Sequence, residues 1–390
     1  MTRITGQLAN HAQRATQVLG WIIHAERPLT KLELQHALGV ELGRRRMDPE
    51  RLPETSHLVS VCAGLVTTDE ESGIIRLVHY TAQEYFVSTK EHWFPGFQGT
   101  ILATCISYLS FEEFATRPCH DHDELSQRLK KHPFYDYAAT HWGHHASGYQ
   151  TCSTVLQFLR KKNEVETAMQ ARSLAALGAL GGFHSTGLHM AAGFGLEKTV
   201  RELLSVYDVN VRDTEDTTAL GLAAAINCLA AVRVLVEKGA DLDSQEMALC
   251  EASSRGYLEV VRYLIETNSP TKFDPETMRE SLFHAAIGSF WETCDFLVEQ
   301  GADINSRVME KSLLHAAVGS QHDGGEKAAE YLIEKGANVN VVDGFGQTPL
   351  HIAIETWERR TNLVKLLVKH GADVNIANER GNNTNGQSHR

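Results

Sequence analysis

One short string recurs along the second half of this 390-residue chain and constrains its fold more than any other feature. The string has the form Gly-Ala-Asp/Asn-x-Asn/Asp and occupies residues 239–243, 301–305, 336–340 and 371–375. The intervals are 62, 35 and 35 residues, and 62 corresponds to two periods with one degenerate copy between them. A period of about 35 residues predicts stacked helical units, because one such unit cannot bury its own apolar face.

A second string, Thr-Pro-Leu-His-Ile-Ala at Thr348–Ala353, marks the start of a helix within the same period. Thr348 suits the N-cap, where its hydroxyl accepts from free amides, and Pro349 suits the first helical position because it has no N–H. Together the two strings predict about six repeats over residues 182–378, followed by a truncated or disordered tail at 379–390. Weaker versions of the second string begin at Thr186, Thr218, Met247, Glu280 and Lys311.

These strings resemble the signature of the ankyrin repeat. The resemblance implies an α-solenoid in which finger-like loops and the first helix of each repeat form a concave protein-binding surface. The third copy lacks its Gly-Ala-Asp and has Thr267-Asn268-Ser269-Pro270 instead, so we expect a distorted finger there. The fifth copy carries an insertion at 321–325, which we expect to project as a loop.

Residues 12–92 show the pattern helix, helix, helix, hairpin, helix, which predicts a winged-helix domain. Capping-box sequences at Thr30–Glu33 and Thr81–Glu84 predict two of the helix starts. We expect a helical linker at 93–181. The predicted fold class is therefore mainly α, with a winged helix that carries a small β-hairpin, a helical linker and an ankyrin-repeat α-solenoid.

Five strings of the first half resemble fungal NACHT–ankyrin proteins, which are NLR-like signal-transduction ATPases of the STAND class. The resemblance implies the winged-helix region labelled "GPI inositol-deacylase winged helix" and a helical linker, which follow the nucleotide-binding module in that family. The chain contains no Gly-x-x-x-x-Gly-Lys-Ser/Thr, so the resemblance does not extend to ATP hydrolysis or nucleotide-driven oligomerisation. We expect either a fragment of a longer NACHT protein or a copy that has lost this module. The strings are 21–28, 29–41, 61–67, 76–86 and 135–145.

The net charge of −12 lies almost entirely in the repeats. Residues 1–183 carry 18 Lys and Arg against 19 Asp and Glu, whereas residues 184–390 carry 19 against 30. An acidic array repels phosphate backbones, which disfavours nucleic acid as a partner and favours a protein with a basic face. No signal peptide or membrane-spanning run is evident, and seven cysteines without a Cys-x-x-Cys pair indicate a cytoplasmic or nuclear location.

Residues that suggest metal or catalytic chemistry do not form a recognisable site in the sequence. The histidine-rich strings at 119–122 and 141–145 lack the paired ligand spacing of a zinc site. Gly182–Gly187 departs by one residue from a serine-hydrolase elbow and starts a repeat helix. We therefore predict no enzymatic activity, no cofactor, no metal and no small-molecule substrate.

A winged helix also raises the alternative of a DNA-associated regulator. The third helix, predicted at 54–60, has no Lys, Arg, Asn or Gln to contact base edges. The basic cluster Arg44–Arg46 precedes it in a loop and supplies charge without base readout.

The function predicted from the sequence is protein recognition by the sensor or scaffold arm of an NLR-like receptor. The alternative is a truncated or degenerate copy with a structural role only. Phe290, Met309, Phe345 and Trp357 are the expected anchors, because aromatic residues dominate interface energetics, although Phe290 and Trp357 equally fit the core between repeats. The predicted partner-binding residues are Glu215, Asp216, Met278, Met309, Phe345 and Gln347 on fingers, with Asn227, Arg255, Phe290, Glu355 and Trp357 on helix positions facing the concave surface.

Overall fold

The protein is described here by a computed structural model that is mainly helical. It describes residues 2–149, 151–178, 181, 183–267, 273–308, 310–320, 324–355, 361–379 and 384. The chain forms two compact units, residues 1–219 and residues 220–390.

Unit 1 begins with the winged helix, in which helices surround a two-stranded antiparallel sheet. The strands pair with Val66 opposite Leu77. The predicted order of three helices, a hairpin and a helix is confirmed. The elements are α1 (Thr2–Thr5), α2 (Ala9–His24), α3 (Lys31–Gly39), a 3₁₀ turn (Pro49–Arg51), α4 (Thr55–Ser60), β1 (Val66–Thr68), β2 (Ile75–Leu77), α5 (Tyr80–Ser88) and α6 (Lys90–Trp93).

One of the two predicted capping boxes is present. The Glu33 amide donates to Thr30 Oγ1 at 3.2 Å, and the Thr30 amide donates to Glu33 Oε2 at 2.7 Å. The box predicted at Thr81 is wrong, because α5 begins at Tyr80, so the N-cap is His79, two residues before Thr81, and no side chain caps the helix.

The helical segment after the winged helix packs an aromatic core against α2. Trp21 of α2 makes edge-to-face contacts with Phe134 at 5.4 Å and Tyr137 at 6.1 Å. Arg27 adds a polar tie, because its Nη2 lies 2.7 Å from Glu33 Oε1 and 2.9 Å from Asp136 Oδ2. The helices are α7 (Phe97–Leu109), α8 (His122–Lys131), α9 (Tyr135–His145), α10 (Ser153–Leu159) and α11 (Lys162–Leu177).

Unit 1 ends with one repeat, formed by α12 (Gly187–Ala192), α13 (Glu197–Leu203) and a finger around Asp213. His189 connects these parts. Its Nδ1 accepts from the Thr186 amide at 3.1 Å, and its Nε2 lies 3.0 Å from the Thr217 carbonyl oxygen. The signature histidine therefore links a helix start to the base of the following finger.

Unit 2 consists of paired helices joined by tight turns. Four of these turns contain Gly239, Gly301, Gly336 and Gly371, whose φ angles of 92°, 99°, 93° and 91° are left-handed, the conformation that glycine adopts most readily after a helix end. The helices are α14 (Ala219–Ala225), α15 (Leu229–Glu237), α16 (Leu242–Ser254), α17 (Leu258–Thr267), α18 (Pro275–Ile287), α19 (Trp291–Glu299), α20 (Leu313–Gly319), α21 (Gly324–Glu334), α22 (Pro349–Glu355) and α23 (Thr361–Lys369), with a hairpin of β3 (Arg307–Val308) and β4 (Lys311–Ser312) before α20.

One of the predicted fingers is replaced by helix. α16 and α18 are 13 residues long and begin directly after Asp241 and Asp274, whose side chains accept from the amides three residues on. The finger predicted at 277–279 is therefore wrong, because these residues form the first turn of α18. The distorted finger expected at 268–270 lies outside the described residues. The same holds for 321–323 of the insertion, whereas Gly324 and Gly325 belong to α21.

Candidate functional site

The first helices of three successive repeats line an open groove in unit 2. α18, α20 and α22 contribute one wall each, and residues of the two intervening fingers contribute the rim. The cavity they enclose has a volume of about 620 Å³. Its lining residues are Phe283, Ile287, Lys311, His315, Ala316, Gly319, Ser320, Gln347, Ile352 and Glu355, and we call this surface the groove.

The repeat register explains why these residues face the same way. Ala316 and Ile352 each follow the signature histidine of their helix. Gly319 and Glu355 lie three residues further along the same helix face. The leucines that precede the histidines, Leu314 and Leu350, are buried, whereas the residues that line the groove are small, aliphatic or aromatic as well as polar.

A smaller cavity of about 300 Å³ adjoins the groove at Phe345. Phe345 is the tip of a finger and is 66% exposed. Asp343 holds this finger, because its Oδ1 accepts from the amides of Phe345 and Gln347, both at 2.9 Å. The cavity is lined by Phe345, Gln347, Glu355, Asn378 and Glu379, and we call it the Phe345 pocket.

His315 fixes the finger to the floor of the groove. Its Nδ1 lies 2.8 Å from Ser312 Oγ at the start of α20. Its Nε2 lies 2.8 Å from the carbonyl oxygen of Gln347, which can only accept, so the ring carries its proton on Nε2. Burial lowers the pKa of His315, which keeps the ring neutral in this role.

The rim of the groove is acidic around the Phe345 pocket. Glu355 accepts from Gln347 Nε2 at 2.8 Å, and Glu379 lies beside it in the pocket lining. The carboxylate of Glu310 lies against Gly344, next to Phe345. Within the described parts of the chain, no Lys or Arg forms an ion pair with these three glutamates. Lys311 is exposed and lines the larger cavity, away from the pocket lining.

Three of the predicted partner-binding residues, Phe345, Gln347 and Glu355, come together at this site. Met278 lies in α18 and is 7% exposed, so it is part of a helix and largely buried. Met309 and Trp357 lie outside the described residues.

The remaining predicted residues lie elsewhere. Glu215 and Asp216 form a finger tip of unit 1, where Asp216 pairs with Arg212 at 2.8 Å. Asn227 occupies the turn between α14 and α15 with a φ of 58°.

Arg255 and Phe290 occupy neighbouring helix ends in unit 2. Arg255 forms the C-cap of α16 and pairs with Glu251. Phe290 precedes α19, and its ring fills the space where side chains on Gly256 and Gly288 would project. The Phe290 ring is therefore packed between helix ends.

Of the ten groove residues, sequence reasoning named only Gln347 and Glu355 and missed the other eight, among them Phe283, Ile287 and Ile352 on the floor. Leu282 is buried like Leu314 and Leu350, which places Phe283 at the position of the signature histidine. A phenylalanine in place of this histidine was the signal that the sequence offered, because an apolar ring cannot make the hydrogen bonds that the histidine makes.

The arginines of the basic cluster in the winged helix form ion pairs with carboxylates. Arg44 lies 2.9 Å from Glu41, and Arg46 lies 2.9 Å from Glu112, which also approaches Arg45 at 3.6 Å. Pairing of this kind reduces the positive charge that is available to a phosphate backbone.

In the parts of the chain that the structure describes, no group of three or more His, Cys, Asp or Glu side chains is arranged to hold a metal ion. No helix in these parts of the chain combines the length and hydropathy that a bilayer crossing requires.

Comparison with known proteins identifies two kinds of module. The family described as ankyrin repeats matches in three copies, at residues 144–246, 188–276 and 282–378, and so covers more than half of the chain. The family described as GPI inositol-deacylase, winged helix domain, matches residues 3–98.

Individual relatives match the repeats over part of their own length. Ankyrin repeat protein FPV031 of fowlpox virus is 32% identical over 146 residues, 37% of this chain and 42% of the relative. Ankyrin repeat and KH domain-containing protein CBG24701 of Caenorhabditis briggsae is 34% identical over 145 residues, 36% of this chain and 5% of the relative. The chain therefore spans less than half the length of either curated relative.

Among solved structures, the ankyrin repeat domain of Bcl-3, of the IkappaB family, is 26% identical. The match covers 53% of this chain and 92% of that domain, with a TM-score of 0.43. Ankyrin repeats are protein–protein interaction modules, and the fold is typically non-enzymatic. On the extent of the family match and the paired helices of the repeats, the chain belongs to the ankyrin-repeat family.

Proposed function

We propose that this chain recognises a protein partner with a basic face through the groove of unit 2. The observation that carries the proposal is the juxtaposition of a half-buried apolar floor with an acidic rim. Phe283, Ile287 and Ile352 supply apolar area that a partner covers, and Glu355 and Glu379 favour positive charge at the edge.

The biological setting we propose is the ligand-sensing or scaffold arm of an NLR-like signalling or immune-recognition protein of the NACHT/STAND class, of fungal type. The five strings of the first half that resemble such proteins support this setting, as does the winged-helix match at residues 3–98. The winged helix then serves as a packing element, since its arginines are paired and its aromatic core contacts the following helices. We place this activity in the cytoplasm or the nucleus.

The proposal is tested by affinity capture with a matched pair of variants of the full chain. Ile352→Asp places a charge on the groove floor, whereas Val368→Asp makes the same change at an exposed apolar position of α23. We expect Ile352→Asp to lose proteins that wild type and Val368→Asp both retain. If the retained proteins are the same for all three chains, the groove does not bind the partner, and a structural copy without a ligand becomes the better interpretation.

A further inference from the structure

The groove and the Phe345 pocket form one continuous surface of changing character. Gln347 and Glu355 line both cavities, so the two spaces meet at these side chains. The larger cavity presents Phe283, Ile287 and Ile352, whereas the smaller one is lined by the exposed Phe345 and by the carboxylates of Glu355 and Glu379. A ligand that lies along the groove therefore passes from an apolar environment to an acidic one.

The Phe345 pocket has the chemistry of a guanidinium site. Phe345 offers an exposed ring face, and Glu355 and Glu379 offer carboxylate oxygens in the same 300 Å³ cavity. A planar guanidinium stacks on an aromatic ring while it donates to carboxylates, and it has five N–H donors for this purpose. Lys311 lines the far cavity and disfavours a second cation there, so the positive charge belongs at the Phe345 end.

We propose that the groove binds an extended polypeptide segment that carries an arginine close in sequence to an apolar side chain. The arginine occupies the Phe345 pocket, and the apolar side chain lies on the floor formed by Phe283, Ile287 and Ile352. This inference rests on the proposed function and names the partner chemistry that the groove selects. In an extended segment, every second side chain points the same way, and such side chains are about 7 Å apart. Because the two cavities adjoin, one short segment reaches both.

The test uses the full chain and an array of fluorescein-labelled nine-residue Gly/Ser peptides that contain one Arg and one Leu at every pair of positions. Matched arrays carry Glu in place of Arg, or Ser in place of Leu. We expect the best Arg/Leu peptide to lose at least tenfold in affinity with either replacement, measured by fluorescence polarisation.

Two double variants separate local recognition from the general charge of the repeats. Glu355→Gln with Glu379→Gln is expected to weaken the best peptide about tenfold, consistent with two charge-assisted contacts. Glu259→Gln with Glu334→Gln removes the same charge from exposed positions of α17 and α21 and is expected to weaken it less than twofold.

Three outcomes overturn the inference: no Arg/Leu peptide binds, the Glu peptides bind equally well, or both double variants have the same effect. Arg359, Arg360 and Arg380 adjoin these glutamates in the sequence and lie outside the described residues. If their replacement by Gln raises the peptide affinity tenfold or more, the pocket is a site for the chain's own arginines, and the inference is also overturned. Protein capture that still depends on Ile352 would leave the proposed function standing in each case.

Discussion

Protonation of His145 is expected to destabilise unit 1 in mild acid. His145 is 1% exposed, and its Nε2 lies 2.9 Å from Tyr137 Oη, whose oxygen also accepts from the Glu26 amide at 3.1 Å. Burial, with smaller contributions from nearby histidines, lowers the pKa of His145 from 6.5 to about 3. The neutral ring is therefore the form that the folded state requires.

The sign and size of the effect follow from linkage. The folded pKa is below the unfolded one, so the unfolded chain binds the proton more tightly, and stability falls as the pH falls from about 6.5 towards 3. At pH 4.5, two units below the unfolded value, the loss from this one group is about 3 kcal/mol at roughly 1.4 kcal/mol per unit.

The assay is urea unfolding at pH 7 and pH 4.5 in a Trp291→Phe, Trp357→Phe background, so that the remaining tryptophans all report on unit 1. The loss of unfolding free energy between the two pH values is expected to be about 3 kcal/mol smaller for His145→Gln than for the parent chain. His122→Gln, at an exposed position of α8, is the matched control and should behave like the parent. Equal losses for His145→Gln and the parent would refute the reasoning.

Two further predictions concern local structure in unit 2, and urea unfolding of that unit measures both. The hydroxyl of Thr348 lies 2.8 Å from His351 Nδ1 at the start of α22. Thr348→Ala removes this N-cap and should lower the free energy of unfolding by about 1 kcal/mol, whereas Thr348→Ser should retain most of the stability. Gly256→Ala and Gly239→Ala both place a side chain at a positive φ, but only the Cβ at Gly256 meets the Phe290 ring. Gly256→Ala should therefore cost at least about 1 kcal/mol more than Gly239→Ala; equal costs would contradict the packing of Phe290 between helix ends.

Local signals were sufficient to predict most of the helices. Thr30, with Glu33 three residues later, predicted the start of α3, and the Thr348-Pro349 pair predicted the start of α22. Both helix starts depend on contacts between residues within one helical turn, so the local sequence is sufficient to predict them.

The long helices α16 and α18 show where periodicity misled the sequence interpretation. The repeat register placed a finger at 277–279, but Asp274 and Pro275 form a strong helix start three residues earlier. The helix therefore starts at the local N-cap, and the finger that the family pattern predicts does not form. Asp241 acts in the same way before α16.

The groove was predicted only in part, because its walls come from separate repeats. Phe345, Gln347 and Glu355 were identified from their places in the repeat, and they line the site. Phe283 was missed because the signature places a buried histidine at its position. The packing of Phe290 over Gly256 depends on a contact 34 residues distant in sequence, which no single-repeat pattern contains.

Hydrogen–deuterium exchange of the full chain, with and without the captured partner, tests the central claim most directly. The account predicts that the partner slows exchange in the finger at 343–347 and at Lys311, because Gln347 and Lys311 line the groove. Exchange in α17 and α19 should not change. Protection confined to unit 1, or to these second helices of the repeats, would contradict the assignment of the groove as the binding surface.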